Sequence, residues 1–170
     1  MTIVYRDADA GDAVVLADIG ARTFTATFGH LYSPENLADF LENHRPERWS
    51  AALAGTATAR IAEDRGHAVG YARIDRLLVP VDTGGRAALQ LYQLYVDAEW
   101  HGRGVAAALM AWAIAAAGTR GAQDLWLTVF IDNQRARAFY RRRGFVEVGP
   151  YTFMVGTHAD EDIICRLALD

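Results

Sequence analysis

The sequence predicts an α+β fold in a single domain, with a mixed, mostly antiparallel central sheet of about six to seven strands flanked by helices. Three observations carry this. The first strands are joined by Asp64-Arg65-Gly66, a hairpin signal. The middle of the chain then alternates strand, helix, strand, helix, which requires one crossover between parallel strands. With 170 residues and about half of them apolar, the chain fits one domain with a sizeable core and leaves no room for a second domain.

The elements follow in order. Thr2 to Tyr5 reads as a first strand and Asp12 to Phe28 as a helix, with Val15, Ile19 and Arg22 alternating only loosely with polar positions. Ser33-Pro34-Glu35-Asn36 is a helix start, with Ser as N-cap and Pro in the first turn, and that helix runs to about His44. Pro46 breaks it, and Glu47 to Leu53 forms one further helical piece. Ala57 to Glu63 and His67 to Asp75 are the hairpin strands, and Pro80 to Arg86 a loop with Gly84-Gly85 at its tip. Ala88 to Val96 is the strongest strand of the middle region. After a loop at His101 to Gly104, Val105 to Ala117 is an Ala-rich helix with Val105, Leu109, Trp112 and Ala116 on one face. Leu125 to Phe130 is a buried strand, Asn133 to Arg142 a short helix, Phe145 to Val148 a strand, and Ile163 to Leu169 closes the sheet.

Composition narrows the class of function. Net charge is -4, so duplex nucleic acid is not an expected partner; that all 17 basic residues are Arg reads as genomic base composition. The longest apolar run, Val105 to Ala117, is short of the ~20 residues that a membrane span needs. No signal peptide is expected, because Met1 to Tyr5 is short and followed by Asp7, Asp9 and Asp12, and a single cysteine, Cys165, cannot form an internal disulfide, so a cytoplasmic location is expected. No metal site is expected.

The chemistry begins at His101-Gly102-Arg103-Gly104-Val105-Ala106, between the central strand and a helix N-terminus. The first helical N–H groups lack internal partners, the dipole favours anions, and glycines let phosphate oxygens approach the backbone. Arg103 can add a charge contact. A Walker loop needs a Lys, which this chain lacks. A dinucleotide fingerprint needs an acid closing the next strand roughly 20 residues on, and Asp132 lies too far along. A lone Gly-x-Gly is otherwise a tight turn.

The loop is not alone. Its pattern resembles the Q/R-x-x-G-x-G/A acyl-CoA motif of the GNAT acetyltransferase superfamily, with His101 in place of the usual Gln or Arg. The segment Asn133-Gln134-Arg135-Ala136-Arg137-Ala138-Phe139-Tyr140-Arg141-Arg142-Arg143-Gly144-Phe145 is similar to the superfamily's N-x-x-A-x-x-F-Y-x-x-x-G-F at every fixed position. On helical spacing, Asn133, Arg137 and Tyr140 share one face and Ala136 and Phe139 another. The resemblance implies an N-acetyltransferase with acetyl-CoA as acyl donor. It implies that the loop amides hold the pyrophosphate, that Asn133 bonds the pantetheine arm, and that Tyr140 stands beside the thioester sulfur as general acid. Within the Arg cluster, Arg137 is the expected phosphate contact. The matching strand stretch is Leu94-Tyr95-Val96, where Val96 is expected to aim its N–H at the acetyl carbonyl and the flanking strands to splay.

The base is not evident. Gln90, Tyr92 and Gln93 are the polar candidates between Leu89 and Val96, so a water chain or capture of neutral amine is the expectation, with His30 a lesser candidate. Nothing in the sequence supplies an activating base for Cys165, which reads as packing. Segment Arg22 to Leu37, and the ending Phe153-Met154-Val155-Gly156 then Asp162-Ile163-Ile164, resemble bacterial members related to spermine/spermidine acetyltransferases. That likeness implies an acceptor site walled by Phe28, His30, Tyr32 and Gln93, and a small-molecule or peptide amine, polyamine among them, as partner. A homodimer is the default expectation for assembly. The rival classes are a non-catalytic acyl-CoA-binding regulatory module and a dinucleotide-dependent oxidoreductase.

Overall fold

A computed structural model describes residues 2–169. Seven strands form one sheet in the order β1-β2-β3-β4-β5-β7-β6. They are β1 (Val4–Asp7), β2 (Thr58–Asp64), β3 (His67–Arg76), β4 (Ala88–Val96), β5 (Asp124–Phe130), β6 (Val146–Val155) and β7 (His158–Ala168). Five helices accompany them: α1 (Ala13–Phe28), α2 (Pro34–Leu41), α3 (Pro46–Ala54), α4 (Val105–Thr119) and α5 (Gln134–Arg141). Every neighbouring pair is antiparallel except β4 with β5, which α4 connects. The predicted class and the single crossover are therefore as observed.

Local chemistry sets the boundaries. Asp9 and Asp12 form a reciprocal capping box on the short turn before α1, and Arg6 clamps the Asp12 carboxylate at 2.7 and 2.8 Å. Ser33 caps α2 through the Asn36 N–H, as its sequence suggests, but the α-helix ends at Leu41 and tightens into a 3₁₀ turn through His44. Pro46 does not simply break a helix; it occupies the first turn of α3, where no N–H is needed.

The strands at the far edge are longer than expected. β6 runs to Val155 rather than Val148, and β7 begins at His158 rather than Ile163. Gly149-Pro150 and the acidic Asp160 to Asp162 conceal the period, and the register shifts between Glu147 and Gly149. The β6–β7 turn is pinned to α2. Asn36 accepts the Thr157 N–H at 2.9 Å, and Gly156, with φ 59°, leaves no room there for a Cβ.

The main core packs α4 against the sheet through Val105, Leu109, Met110, Ala113 and Ala117. Trp112 and Ala116, expected on that face, lie at its partly buried margin. A second core under α1 and α3 joins Leu16, Ile19, Trp49, Ile61 and Tyr71. Each face of the sheet thus carries its own helical layer. No helix among the described residues is long and apolar enough to cross a membrane.

Candidate active site

Strands β4 and β5 begin as parallel neighbours and then part. Their pairing covers only Ala88–Gln90 against Asp124–Trp126, although β4 continues to Val96 and β5 to Phe130. The separation opens a cleft of about 540 Å³ lined by residues 91–96 on one side and 127–130 on the other. Where a strand loses its neighbour, its backbone groups on that side lose their partners. Asp97 donates to Val69 on β3 at 2.9 Å, so strand alternation turns the Leu94 and Val96 amides the other way, toward the cleft. The one irregularity of the β3–β4 ladder places Tyr92 as the extra residue on β4, between Leu91 and Gln93.

At one end of the cleft stands the glycine loop. Gly102 and Gly104 have φ of 74° and 85°, and a Cβ on either would meet nothing within 4 Å, so the space before the α4 N-terminus is open. Fifteen residues of helix lie behind it, enough to carry a dipole. His101 ties the loop to the strand. Its Nε2–H donates to the Val96 carbonyl at 2.8 Å, which leaves Nδ1 to accept from the Arg135 guanidinium. His101, Gly102, Gly104 and Ala106 line the cleft. Val105 is buried in the core, and Arg103 lies over the Trp100 ring at 5.3 Å.

Helix α5 forms the next wall. Asn133 is its N-cap, accepting the Ala136 N–H at 3.2 Å, and lines the cleft with Ala136, Phe139, Tyr140 and Arg143. Tyr140 packs edge-on against Phe139 and Phe145, at centroid distances of 5.5 and 5.8 Å. Burial pushes its phenol well above the ordinary tyrosine range, with the Cys165 thiol adding to it, so the hydroxyl stays protonated at neutral pH.

Arg137 does not share that face. It grips Glu147 of β6 at 2.9 and 3.1 Å and donates to the Ile131 carbonyl at 2.8 Å, outside the cleft lining. The expected grouping of Asn133, Arg137 and Tyr140 is corrected accordingly. Asn133 sits at the cap, outside the regular helix, so the wall pairs it with Ala136 and Tyr140. Arg135, not Arg137, lines the cleft.

At the other end the walls are aromatic. Phe24, Phe28, Tyr32, Phe130 and Phe153 surround the opening, and Phe28 meets Phe130 edge-on at 6.2 Å. Gln93 also lines it, its Oε1 accepting from the Tyr71 hydroxyl at 3.0 Å. His30 is exposed in the turn after α1 and does not line the cleft. Cys165 is buried outside the cleft lining, and burial pushes its thiol up to about 11, which agrees with a packing residue.

Two residues here escaped the sequence reading. Asp160 and Asp162, both buried on β7, are the two carboxylates among the cleft-lining residues. Tyr32 donates a hydrogen bond to Asp160, and His158 lies 3.2 Å from that carboxylate. Burial, with Asp160 adding, pushes Asp162 up to about 6, against a Thr128 hydrogen bond that favours the ionised form. Their signal was an acid pair at spacing two within a strand. No group of three or more His, Cys, Asp or Glu among the described residues could hold a metal ion.

Residues 18–145 match the model of the acetyltransferase (GNAT) family. An uncharacterized N-acetyltransferase of Mycobacterium tuberculosis is 36% identical over 155 residues, which cover 90% of this chain and 95% of that one. An uncharacterized N-acetyltransferase of Lactobacillus delbrueckii subsp. lactis is 29% identical over 157 residues, covering 89% and 88% respectively. Among solved structures, the PaiA N-acetyltransferase of Thermoplasma acidophilum in complex with coenzyme A superimposes with a TM-score of 0.77, covering 99% of each chain at 17% identity.

Proposed function

The chain belongs to the acetyltransferase (GNAT) family and is an acetyl-CoA-dependent N-acetyltransferase; from this premise we propose that it passes the acetyl group directly to a primary amine in a ternary complex, with Tyr140 as general acid. One observation carries the reading. The parting of β4 and β5 connects, through a single cleft, an open helix N-terminus at one end with Tyr140 in the wall and an aromatic, acid-containing chamber at the other.

The fit to an acyl-CoA can be judged on this chain's own groups. Backbone amides of Gly102 to Ala106 suit the pyrophosphate, and the cleft-facing backbone of β4 at Leu94 suits the amides of an extended pantetheine arm. Asn133 keeps its side-chain NH₂ for that arm, since only its oxygen is used by the cap. The Val96 N–H is then the donor for the acetyl carbonyl as it gains charge, and Tyr140 supplies the proton to the departing sulfur. Phe28, Tyr32 and Gln93 wall the acceptor. Polyamines head the acceptor classes, on the resemblance of the 22–37 segment and the two aspartates in the chamber, and a homodimer is the assembly proposed.

The test is to follow free CoA thiol from acetyl-CoA with a panel of polyamines, amino acids, aminoglycosides and peptide N-termini, with Tyr140→Phe alongside. The expected result is amine-dependent release that falls roughly 10²- to 10⁴-fold in the variant while acetyl-CoA affinity holds. Retained binding with no release for any amine would instead identify a regulatory acyl-CoA module.

A further inference from the structure

Resting on the acetyl-transfer reading, we propose that Asp162 is the proton acceptor for the attacking amine, on a strand remote in sequence from both motifs. β4 offers nothing equivalent. Its polar side chains are Gln90, Tyr92, Gln93 and Tyr95; burial pushes both phenols up, so they hold their protons, and neither amide can take one up, Gln90 being occupied by the Leu78 and Val79 N–H groups and Gln93 by Tyr71. Several acids elsewhere are bound by arginine: Asp75 to Arg73, Asp97 to Arg22 and Glu147 to Arg137. Of the two acids that line the cleft, Asp160 already receives the Tyr32 hydroxyl and faces His158.

Asp162 differs from all of these. It is only 7% exposed, yet it lines the chamber where the acceptor would enter. It sits opposite Phe130 of β5 and opposite Tyr151 of β6. Its other neighbours are the Thr128 hydroxyl and, within electrostatic reach, Asp160, Tyr32 and Tyr95. Among the described residues, the groups acting on it include no cation. Tyr95 feels both Tyr140 and Asp162, so the acid and the base both lie within electrostatic reach of one residue of β4. A carboxylate that is buried without a cation, and stands two residues from another acid, holds a proton more tightly than one in water. Its value of about 6 suits a base that is ionised at neutral pH and accepts readily.

The protons balance as follows. A cationic acceptor, R–NH₃⁺, enters the acid-lined chamber and gives one proton to Asp162, which later releases it to solvent. The freed nitrogen lone pair forms the N–C bond with the acetyl carbon. As the C–S bond breaks, Tyr140 donates its proton to sulfur, and the second proton shed by nitrogen restores Tyr140. The sum is acetyl-CoA plus R–NH₃⁺ giving R–NH–acetyl, CoA–SH and one H⁺.

The experiment compares wild type with Asp162→Asn, which keeps size and polarity, using a strongly basic alkylamine and a weakly basic amine that is already neutral at pH 7. The kcat/KM for the alkylamine should fall roughly 10²- to 10⁴-fold, the acid limb near pH 6 should disappear, and the weakly basic amine should lose far less. In unliganded protein, a ¹³C carboxyl resonance titrating near pH 6 should be missing from the variant. An Asp162→Asn protein that keeps the acid limb and its alkylamine rate, or loses both amines equally through KM alone, would overturn the assignment. Wild-type protein that binds acetyl-CoA but acetylates no amine would overturn the acetyl-transfer reading itself, a distinguishable failure.

Discussion

Asp124 and Asp162 stand near opposite ends of β5, one opening that strand and the other paired with the residue that closes it. Both are almost wholly buried, at 0% and 7% exposure. Their carboxyls nevertheless shift in opposite directions. Burial alone would raise both, but Arg86 and Arg166 each bond Asp124 at 2.9 Å and bring its carboxyl below the usual range. Asp162 has a single hydroxyl from Thr128, and burial wins. Burial therefore does not decide what a buried acid does; its partners do. The closed end of the β4–β5 pair spends its acid on holding strands together, whereas the open end leaves its acid uncompensated beside a cleft, the pattern expected where chemistry is done.

The largest expected effect breaks the closed end. Asp124→Ala removes a buried acceptor shared by two arginines, and unfolding in urea should show a loss of about 3 kcal/mol, the low end of the range for broken buried pairs because both arginines reach solvent. The Asp124 carboxyl is lowered on folding, so its contribution is present above the ordinary value of 3.8 and fades as pH falls through its folded value. Wild type and variant should therefore converge in strong acid.

At the open end the sign reverses. Asp162 is raised on folding, so its ionisation costs stability as pH climbs from 3.8 through about 6. Asp162→Asn should stabilise the protein by on the order of 2 kcal/mol at pH 8 and by almost nothing below pH ~4, read from thermal melts across pH. A variant that melts lower at pH 8 would mean that the carboxylate is structurally compensated, and the contrast between the two ends would fail.

How much of this the sequence disclosed depends on the kind of signal. The 133–145 segment and the glycine loop were legible because several residues had to agree at fixed spacing, and they led to the right fold and to the α5 wall and glycine-loop end of the cleft. Asp160 and Asp162 were not legible. Acids in a strand read as a solvent face or a loop, and nothing local says that both will be buried or that Asp160 will receive the Tyr32 hydroxyl. The same blindness shortened β6 and β7. His30 failed for a related reason: in a 3₁₀ turn, neighbours such as Phe28 and Tyr32 reach the cleft while the residue between them faces outward. Helical phase misled at α5, where the assumption that Asn133 belongs to the regular helix rotated Arg137 onto the wrong face.

That last correction yields the smallest effect and the finest test of the contrast, because it separates two arginines on one turn of α5. Arg135 bonds His101 and lines the cleft, so it belongs to the open, functional end. Arg137 fastens α5 to β6 through Glu147 and is a structural clamp like those on Asp124. Arg135→Gln should raise the KM for acetyl-CoA roughly five- to tenfold, the size of one lost solvent-exposed hydrogen bond, with the melting temperature unchanged. Arg137→Gln should lower the melting temperature by a few degrees and leave that KM within about twofold, since the group it loses is a carboxylate on β6. If Arg137→Gln instead raised KM as much as Arg135→Gln, the donor phosphates would have to be reached from the β6 side of α5. The cleft between β4 and β5 would then account for only part of the acyl-CoA site.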